Sequence, residues 1–315
     1  MSSCPGMLTL FTTAKAFEGH SGVIQRNALK SWTLLGPGVE VILFGDEPGA
    51  AEAARELNIR HDARVERFGG KLPYVNSLFL RAEQLARNDI LCYANCDILL
   101  LPDFCRAIAR VREMHSPFLM VGRRWDTDIT NPISFSDINW PRYVQQLALA
   151  ANGQKNGWWI DYFVFSRGLF GLEIPPLVIG RPPWDNWTVW KALQKGPVVD
   201  ASSAVLAVHQ NHDYGSHPAG RTGVWTDEPS RHNLVVAGSR WHLCTIDDAT
   251  HLLSPAGLRP NPERRRQLVR RFIRTLKESL WFGALAWSRP IRKAIRLRKK
   301  NRDALFARLR RLLSR

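Results

Sequence analysis

The chain has 315 residues, 45% of them hydrophobic, so it can bury a large core in one domain with an appendage. Its net charge is +16, but residues 261–315 hold 19 lysines and arginines against three acidic residues, an excess equal to the charge of the whole chain. Residues 1–260 are therefore balanced, which argues against a nucleic-acid partner for this part. No apolar run reaches the roughly 20 residues that span a bilayer, and we expect no signal peptide.

The first 122 residues alternate between strand and helix patterns. Residues 7–12 (MLTLFT) and 39–44 (VEVILF) are apolar runs bounded by turn residues, which predicts buried strands. Further strands are predicted at 90–95 and 118–122, and amphipathic helices at 24–35, 75–85 and 104–114. Continuous apolar strands separated by helices predict an α/β fold, a mostly parallel Rossmann-type sheet with helices on both faces.

The pattern changes after residue 122. Residues 123–143 are irregular and polar with aromatics, 156–171 return to strand, and 182–196 form a short helix pattern that opens with a proline pair. The stretch 198–217 ends the predicted core. Five tryptophans fall within 33 residues of this half, and each one alone is more simply explained as a core aromatic: Trp158, Trp159, Trp184, Trp187 and Trp190.

The cysteines predict a reducing compartment. None of the five forms a CxxC pair, and Cys92, Cys96 and Cys105 lie in or beside apolar runs. We therefore expect reduced, packed thiols in a cytoplasmic protein.

An acidic residue interrupts the most apolar segment of the chain. Asn95 and Asp97 separate the apolar runs 90–93 and 98–101, and burying a polar group without a partner costs about 2–7 kcal/mol. In a parallel sheet this position is the carboxyl end of a strand, where ligands bind. Oxygen ligands spaced by two residues there could hold Mg²⁺ or Mn²⁺. The alternative is a strand-end turn in which both side chains cap backbone groups.

Later polar residues allow two interpretations each. His209 and His212 follow an apolar run, so either could be a metal ligand or a structural histidine. Asp185 stands at the head of a helix pattern among tryptophans, as an N-cap or as a general base with a raised pKa. Asp46 follows the second strand, where it could bind a nucleoside or only make the turn.

The order of these motifs resembles the GT-A glycosyltransferases, the nucleotide-diphospho-sugar transferase superfamily, over residues 7–215. The matching motifs are a strand ending in TTAK, a strand ending in GDE, NCD after a central strand, SRGLFGL, WDN before a helix, and VHQNH. The resemblance implies that Asp97 binds the metal with His212 or His209, that Asn95 helps to bind metal and diphosphate, and that Asp185 is the base of an inverting enzyme. It implies further donor-binding residues: Thr12, Thr13, Lys15, Asp46, Lys71 and Arg81.

The function implied is that of a hexosyltransferase-like glycosyltransferase. With Mn²⁺ or Mg²⁺ it would move a sugar from a nucleotide-sugar to a sugar, a lipid-linked acceptor or a cell-envelope polysaccharide. Asparagine replaces the first acid of the metal motif, and the single acid of WDN leaves inverting or retaining chemistry open. Asp126, Asp128 and Asp161 would have acceptor-side roles at most. The alternatives are a sugar nucleotidyltransferase, although no glycine-rich phosphate loop follows the first strand, and a non-catalytic membrane-surface adaptor.

The basic tail predicts a separate unit. We divide the chain into a GT-A-like domain, residues 1–260, and a basic amphipathic helical tail, residues 261–315. Leu268, Phe272, Leu276 and Leu280 step by four, residues 281–287 add aromatics, and the pattern resumes after Pro290. Basic amphipathic helices with aromatics bind anionic membrane surfaces, here the inner face of the membrane, although plain packing on the core is the alternative. The tail lacks any RNA-module signature, so we expect no nucleic acid as partner.

Overall fold

The structure of the protein is a computed structural model, which describes residues 8–114, 116–213 and 220–286. The strands are β1 (Leu8–Thr13), β2 (Val39–Phe44), β3 (Arg60–Asp62), β4 (Arg67–Phe68), β5 (Leu72–Pro73), β6 (Ile90–Ala94), β7 (Ile98–Leu99), β8 (Leu119–Val121), β9 (Arg124–Thr127), β10 (Tyr162–Ser166), β11 (Val198–Asp200), β12 (Ala207–Gln210), β13 (His251–Ser254) and β14 (Gly257–Pro260). The helices are α1 (Gly19–Thr33), α2 (Ala50–Glu56), α3 (Val75–Leu85), α4 (Pro102–Arg112), α5 (Trp140–Ala151), α6 (Trp184–Leu193), α7 (Gly220–Thr226), α8 (Glu228–Ala237) and α9 (Arg264–Ala286).

Nine strands form the main sheet, in the order β14-β13-β11-β8-β10-β6-β1-β2-β3. The neighbours β6, β1, β2 and β3 are parallel, as are β8, β11 and β13. Strand β10 runs antiparallel between β6 and β8, and β14 is antiparallel at the edge. The predicted α/β class with a mostly parallel sheet is confirmed.

Both faces of this sheet are buried under helices. Alternate side chains of a strand point to opposite faces, so Leu8 and Leu10 pack with α1, α2 and α4, whereas Phe11 packs with α3 and α6. Cys92 and Tyr93 of β6 divide in the same way. This two-sided burial explains why β6 is apolar throughout, and why every residue of β1 from Leu8 to Thr12 is buried, its threonines included.

A second sheet holds the chain that follows the central strand. It has the order β7-β12-β9, with β12 antiparallel to β7 and parallel to β9. Strand β9 and the start of α5 lie in residues 123–143, where the sequence indicated irregular structure. The prediction missed them because β9 has only four residues, with a charged first residue that is buried all the same.

The chain divides into two compact units, residues 1–264 and 265–315. The described part of the second unit is α9, which is basic and amphipathic as predicted. The helix expected after Pro290, and the side chains of Leu280 and of the aromatics at 281–287, lie outside the described residues. No helix within the described ranges is both long and apolar enough to cross a membrane. The roles assigned to 1–260 and 261–315 stay a prediction.

Among the cysteines that the structure describes, one departs from expectation. Cys92, Cys96 and Cys244 are free, buried thiols. Cys105 is disulfide-bonded, so the prediction of a reduced thiol there is wrong. An apolar neighbourhood accommodates a disulfide as well as a thiol, so burial does not distinguish the two.

Candidate active site

The candidate site lies where the chain passes from the main sheet into the second sheet. Residues 95–97 leave the carboxyl end of β6 and lead directly into β7. Strand β7 pairs with β12, and the backbone N–H of Gln210 donates to the carbonyl of Asp97 at 3.2 Å. Strand β12 also pairs with β9, which sets His209 opposite Asp126. Strand pairing therefore brings together residues more than 100 positions apart.

Asp97, His209 and His212 form a compact cluster. The Asp97 Oδ2 atom lies 3.2 Å from Nε2 of His212 and 3.7 Å from Nε2 of His209. One potential ligand atom from each of the three side chains lies within 4.8 Å of the others. The side chains are 9% to 18% exposed, so they are mostly buried but reach an opening. The sequence left the choice between the two histidines open, and the structure places both beside Asp97.

Each imidazole of the cluster has an oxygen atom close to its Nδ1 atom. The Nδ1 atom of His209 lies 3.3 Å from Oδ1 of Asp126, and Nδ1 of His212 lies 2.7 Å from the carbonyl of Asp213. Each ring therefore turns its Nε2 toward Asp97. Histidines that bind metals usually have a hydrogen-bonded oxygen on the other nitrogen; His212 has one, whereas the Nδ1 atom of His209 has only the contact with Asp126.

The charges of the cluster favour an ionised carboxylate. Burial alone would raise the pKa of Asp97, but His209, the hydrogen bond with His212 and the charge of Arg124 hold it well below its usual range. The same hydrogen bond raises the pKa of His212, against the effect of burial and of the positive charge of Lys15. The Oδ1 atom of Asp97 is buried and has no hydrogen-bond partner among the described residues. One carboxylate with a spare oxygen and two imidazoles fit a divalent cation.

A buried arginine, which the sequence did not single out, lies behind the cluster. Arg124 donates to Asp126 at 2.8 Å and to both oxygens of Asp161 at 3.0 and 3.1 Å. The Trp159 ring lies over its guanidinium, 4.9 Å from centroid to Cζ. Because Arg124 starts a short strand in a polar segment, only the strand register could have revealed its position. It balances Asp161, which pairs with no other cation among the described residues, and Asp126, which Lys155 also contacts at 3.0 Å.

Asn95 faces this arginine network. Its Nδ2 donates to Asp161 at 2.6 Å, and its Oδ1 accepts from the Tyr93 hydroxyl at 3.0 Å. Both polar atoms of the side chain are therefore engaged within the protein. The predicted role of Asn95 in binding metal or diphosphate stays a prediction, and Asp97 is the residue of this motif that meets the histidines.

Asp185 lies in the first turn of α6, as predicted, and is mostly buried. Its Oδ1 is buried and has no hydrogen-bond partner in the described part of the chain. Burial raises the pKa of Asp185 to about 7; the Asn186 N–H opposes this rise, and the negative charge of Asp161 adds to it. A carboxylate of this kind can exchange a proton near neutral pH.

The end of β1 supplies the nearest of the other predicted donor-binding residues. Thr12 is buried, donates to the carbonyl of Thr13 at 3.1 Å and also contacts the thiol of Cys96. The Thr13 hydroxyl is buried without a described partner. Lys15 is exposed, and its charge reaches His212. These three residues border the cluster from the side of β1.

Of the remaining predicted residues, Asp46 and Arg81 form ion pairs, and Lys71 accepts a hydrogen bond at its backbone carbonyl. Arg67 bridges Asp46 at 2.7 Å and Glu47 at 2.8 Å, and it also donates to the carbonyl of Lys71 at 2.9 Å. Arg81 is bonded to Asp62 at 2.7 Å. Donor binding by Asp46, Lys71 and Arg81 stays a prediction.

Most of the tryptophan group proves to be structural. Trp184 and Trp187 are buried in the core on the α3 and α6 face, and Trp190 stacks on His242 at 3.9 Å. Trp159 covers Arg124, whereas Trp158 is exposed.

A cavity of about 530 Å³ opens beside the cluster. Its wall includes the first turn of α1 and the end of β12, with these lining residues: Glu18, His20, Ser21, Asp128, Asn211, His212 and Asp213. His20 is held by a 3.0 Å contact between its Nε2 and the carbonyl of Asn211. The opening can admit a ligand that reaches His212.

No protein-family model matches the chain, and no curated protein matches its sequence. Solved structures do match. They include Staphylococcus aureus TarS 1–349 in complex with UDP-GlcNAc, at 11% identity and TM-score 0.44, covering 65% of this chain and 59% of that one. Another is Mycobacterium tuberculosis glucosyl-3-phosphoglycerate synthase in complex with Mn²⁺, UDP and glucosyl-3-phosphoglycerate, at 14% identity and TM-score 0.38, covering 74% and 78%.

The chain spans about 60% of the length of the TarS 1–349 structures that it matches. Identities of 11% to 14% concern the fold and transfer no residue role. The fold class rests on the sheet topology of this chain itself.

Proposed function

We propose that this protein is a metal-assisted glycosyltransferase that moves a sugar from a nucleoside-diphosphate sugar to an acceptor hydroxyl. The observation that carries the proposal is the convergence of Asp97, His209 and His212 at the carboxyl end of a central parallel strand, beside an open cavity. Ligands of open α/β sheets bind at this edge. A buried carboxylate there, with one oxygen unpartnered, is expensive unless a ligand engages it.

Asp97, His209 and His212 would hold the divalent cation, which when bound offsets negative charge on a diphosphate leaving group. Lys15 and the free hydroxyl of Thr13 lie on the same side and suit phosphate oxygens. The first turn of α1 also faces the cavity, where unpaired N–H groups favour an anion. The donor diphosphate would therefore lie between the cluster and α1.

Asp185 would act as the base in an inverting reaction. The acceptor oxygen bonds to the anomeric carbon, the bond to the nucleoside diphosphate breaks, and the acceptor proton passes to the Asp185 carboxylate. A base with a pKa of about 7 is ionised in half of the molecules at neutral pH and holds a proton well enough to take one.

The ligand set points to Mn²⁺ rather than Mg²⁺. Imidazole suits transition-metal ions, whereas Mg²⁺ prefers oxygen ligands and keeps its waters. Two of the three protein ligands are imidazoles. We therefore expect Mn²⁺ to support donor binding at lower concentration than Mg²⁺.

Thermal unfolding with nucleotides tests the proposal. We expect UDP, GDP, CDP or ADP to stabilise the full chain only with Mn²⁺, by about 2.7 kcal/mol at one hundred times Kd. Asp97→Asn should abolish this stabilisation, whereas Asp89→Asn, at an exposed surface carboxylate, should retain it. The proposal fails if none of these nucleotides stabilises the protein, or if Asp97→Asn behaves like the control. Hydrolysis of a panel of nucleotide-sugars would then identify the donor.

The tail would attach the enzyme to the inner, cytoplasmic face of a membrane, where a lipid-linked acceptor is available. Leu268, Phe272 and Leu276 are 38%, 58% and 37% exposed along α9, among many arginines. Such a helix suits an anionic lipid surface.

Flotation with phosphatidylglycerol vesicles would measure this attachment. We expect the full chain to float and the double variant Leu268→Asp, Phe272→Asp to float markedly less. Val235→Asp changes an apolar residue that is 79% exposed in the first unit and should not alter flotation. Equal flotation of the double variant and the wild type would remove α9 from membrane binding.

A further inference from the structure

A second cavity, of about 420 Å³, lies next to the one at the cluster. One wall is the loop 128–137 and the other is a face of α5 that presents Trp140, Tyr143 and Leu147. Trp140 is mostly buried and its ring packs 5.0 Å from that of Phe135, whereas Tyr143 is 53% exposed. We call this cavity the α5 groove.

The α5 groove adjoins the proposed donor cavity. Asp128 lines both. Its Oδ1 accepts from Nδ2 of Asn211 at 2.8 Å, and Asn211 precedes His212 in the chain. A ligand in the α5 groove would therefore have its end directed toward the proposed donor.

Two buried amides fix the wall of the groove to the cluster. Asn27 accepts from the N–H of Ile133 at 3.0 Å and donates to the carbonyl of Asn131 at 3.1 Å. It also donates to Gln210 at 3.0 Å, and the Gln210 amide lies 3.2 Å from the carbonyl of Asp97. Both amide side chains are buried, so breaking this network would leave buried polar groups unpaired. These hydrogen bonds therefore fix the loop wall of the α5 groove relative to Asp97.

The lining chemistry selects one class of ligand. Aromatic and aliphatic side chains suit the apolar face of a sugar ring, and Asp128, Asn131, Ser134 and Asp137 offer acceptors and donors to hydroxyls. No lysine or arginine is among the lining residues that the structure describes, and two carboxylates are. The donor cavity is also lined by carboxylates, but His212 of the proposed cation site lines it as well. No member of that cluster is among the described residues that line the α5 groove, so none of them would offset an anionic ligand, and the two carboxylates disfavour one.

We propose that the α5 groove is the acceptor site and that it binds a neutral saccharide. That the bound saccharide serves as the acceptor rests on the proposed function. Saccharide binding by the groove does not depend on it. Tyr143 would stack on the sugar ring, and Asp137 would accept hydrogen bonds from its hydroxyls.

Saturation-transfer NMR with the full chain tests this site. The probes are the methyl glycosides of glucose, galactose and N-acetylglucosamine, with glucose 6-phosphate as the anionic counterpart. We expect binding of at least one neutral glycoside and weaker binding of the phosphate. Tyr143→Ala should weaken glycoside binding roughly fivefold to tenfold, and Asp137→Asn should weaken it by a smaller factor. Leu149→Ala alters a residue on the same helix that is 52% exposed and outside the groove, so it should not change binding.

The site is refuted if no neutral glycoside binds the wild type, if Tyr143→Ala binds as the wild type does, or if the phosphate binds as well as its neutral counterpart. Unfolding with nucleotide and Mn²⁺ on the same samples separates the two proposals. Nucleotide stabilisation without glycoside binding would overturn the α5 groove alone. Glycoside binding without nucleotide stabilisation would overturn the transferase and keep the saccharide site.

Discussion

Asp97 and Asp185 are both mostly buried carboxylates, yet burial leaves them in opposite states. The pKa of Asp97 is well below its usual range, because His209, His212 and Arg124 outweigh desolvation. The pKa of Asp185 rises to about 7, because desolvation prevails and the nearby charge of Asp161 is negative. The comparison shows that the neighbouring charges, rather than depth alone, decide what a buried carboxylate can do. Asp97 is ready to bind a cation, whereas Asp185 is ready to bind a proton.

The largest effect should come from neutralising Asp185. Asp185→Asn cannot accept a proton, so we expect kcat to fall roughly 10²- to 10⁴-fold while Mn²⁺-dependent nucleotide binding persists. In the wild type, kcat should fall as the pH drops through about 7, because the carboxylate becomes protonated. Steady-state kinetics with the identified donor would measure both. Turnover equal to that of the wild type would remove Asp185 from the reaction.

Removing the buried guanidinium of Arg124 should lower the stability of the protein. Arg124→Met leaves Asp126 and Asp161 without their guanidinium, so we expect the free energy of unfolding to fall by about 3–5 kcal/mol. Arg55→Met, which breaks an exposed pair with Glu52, should cost about 0.5 kcal/mol or less. Urea denaturation would compare them, and similar losses in both variants would contradict the structural role of Arg124.

The raised pKa of Asp185 should also appear in the pH dependence of the free energy of unfolding. Its folded pKa, about 7, lies above the usual value of 3.8, so the folded state binds this proton more tightly than the unfolded state. Its contribution is therefore fully present below about pH 4 and is lost as the pH rises to about 7. Asp185→Asn should match the wild type near pH 4 and exceed it at pH 8 by on the order of 2–4 kcal/mol. An equal difference at both pH values would contradict the raised pKa.

The smallest expected effect concerns metal binding by the cluster. Protonated His212 cannot ligate, and its raised pKa means that a cation must displace a proton as the pH falls. We expect Mn²⁺ affinity to fall about tenfold for each pH unit below that pKa, measured by calorimetry in the absence of nucleotide. His212→Gln should bind more weakly and with a flatter pH dependence. Affinity independent of pH in the wild type would show that His212 is not a ligand.

The sequence was most informative where an apolar run predicted a strand and so fixed the position of the residues that follow it. The apolar runs at 39–44 and 90–94 correctly predicted β2 and β6, and the polar residues after β6 correctly predicted a strand end. Arg124 and Asn27 gave no comparable signal, since neither is recognisable without knowing which strand or loop lies beside it. Cys105 shows the limit of apolar context, which does not report the oxidation state of a thiol.

The sequence alone determined the α/β class, the edge of the sheet where Asp97 emerges, and the basic amphipathic character of α9, because hydrophobic periodicity and strand order are local properties of the chain. Only the tertiary structure decided that both histidines meet Asp97, that Arg124 neutralises Asp126 and Asp161, and that the α5 groove adjoins the cluster. These depend on the pairing of β12 with β7 and with β9, which joins segments about 80 to 110 residues apart. Because a pKa depends on charges a few ångströms away in space, the contrast between Asp97 and Asp185 exists only once the chain has folded.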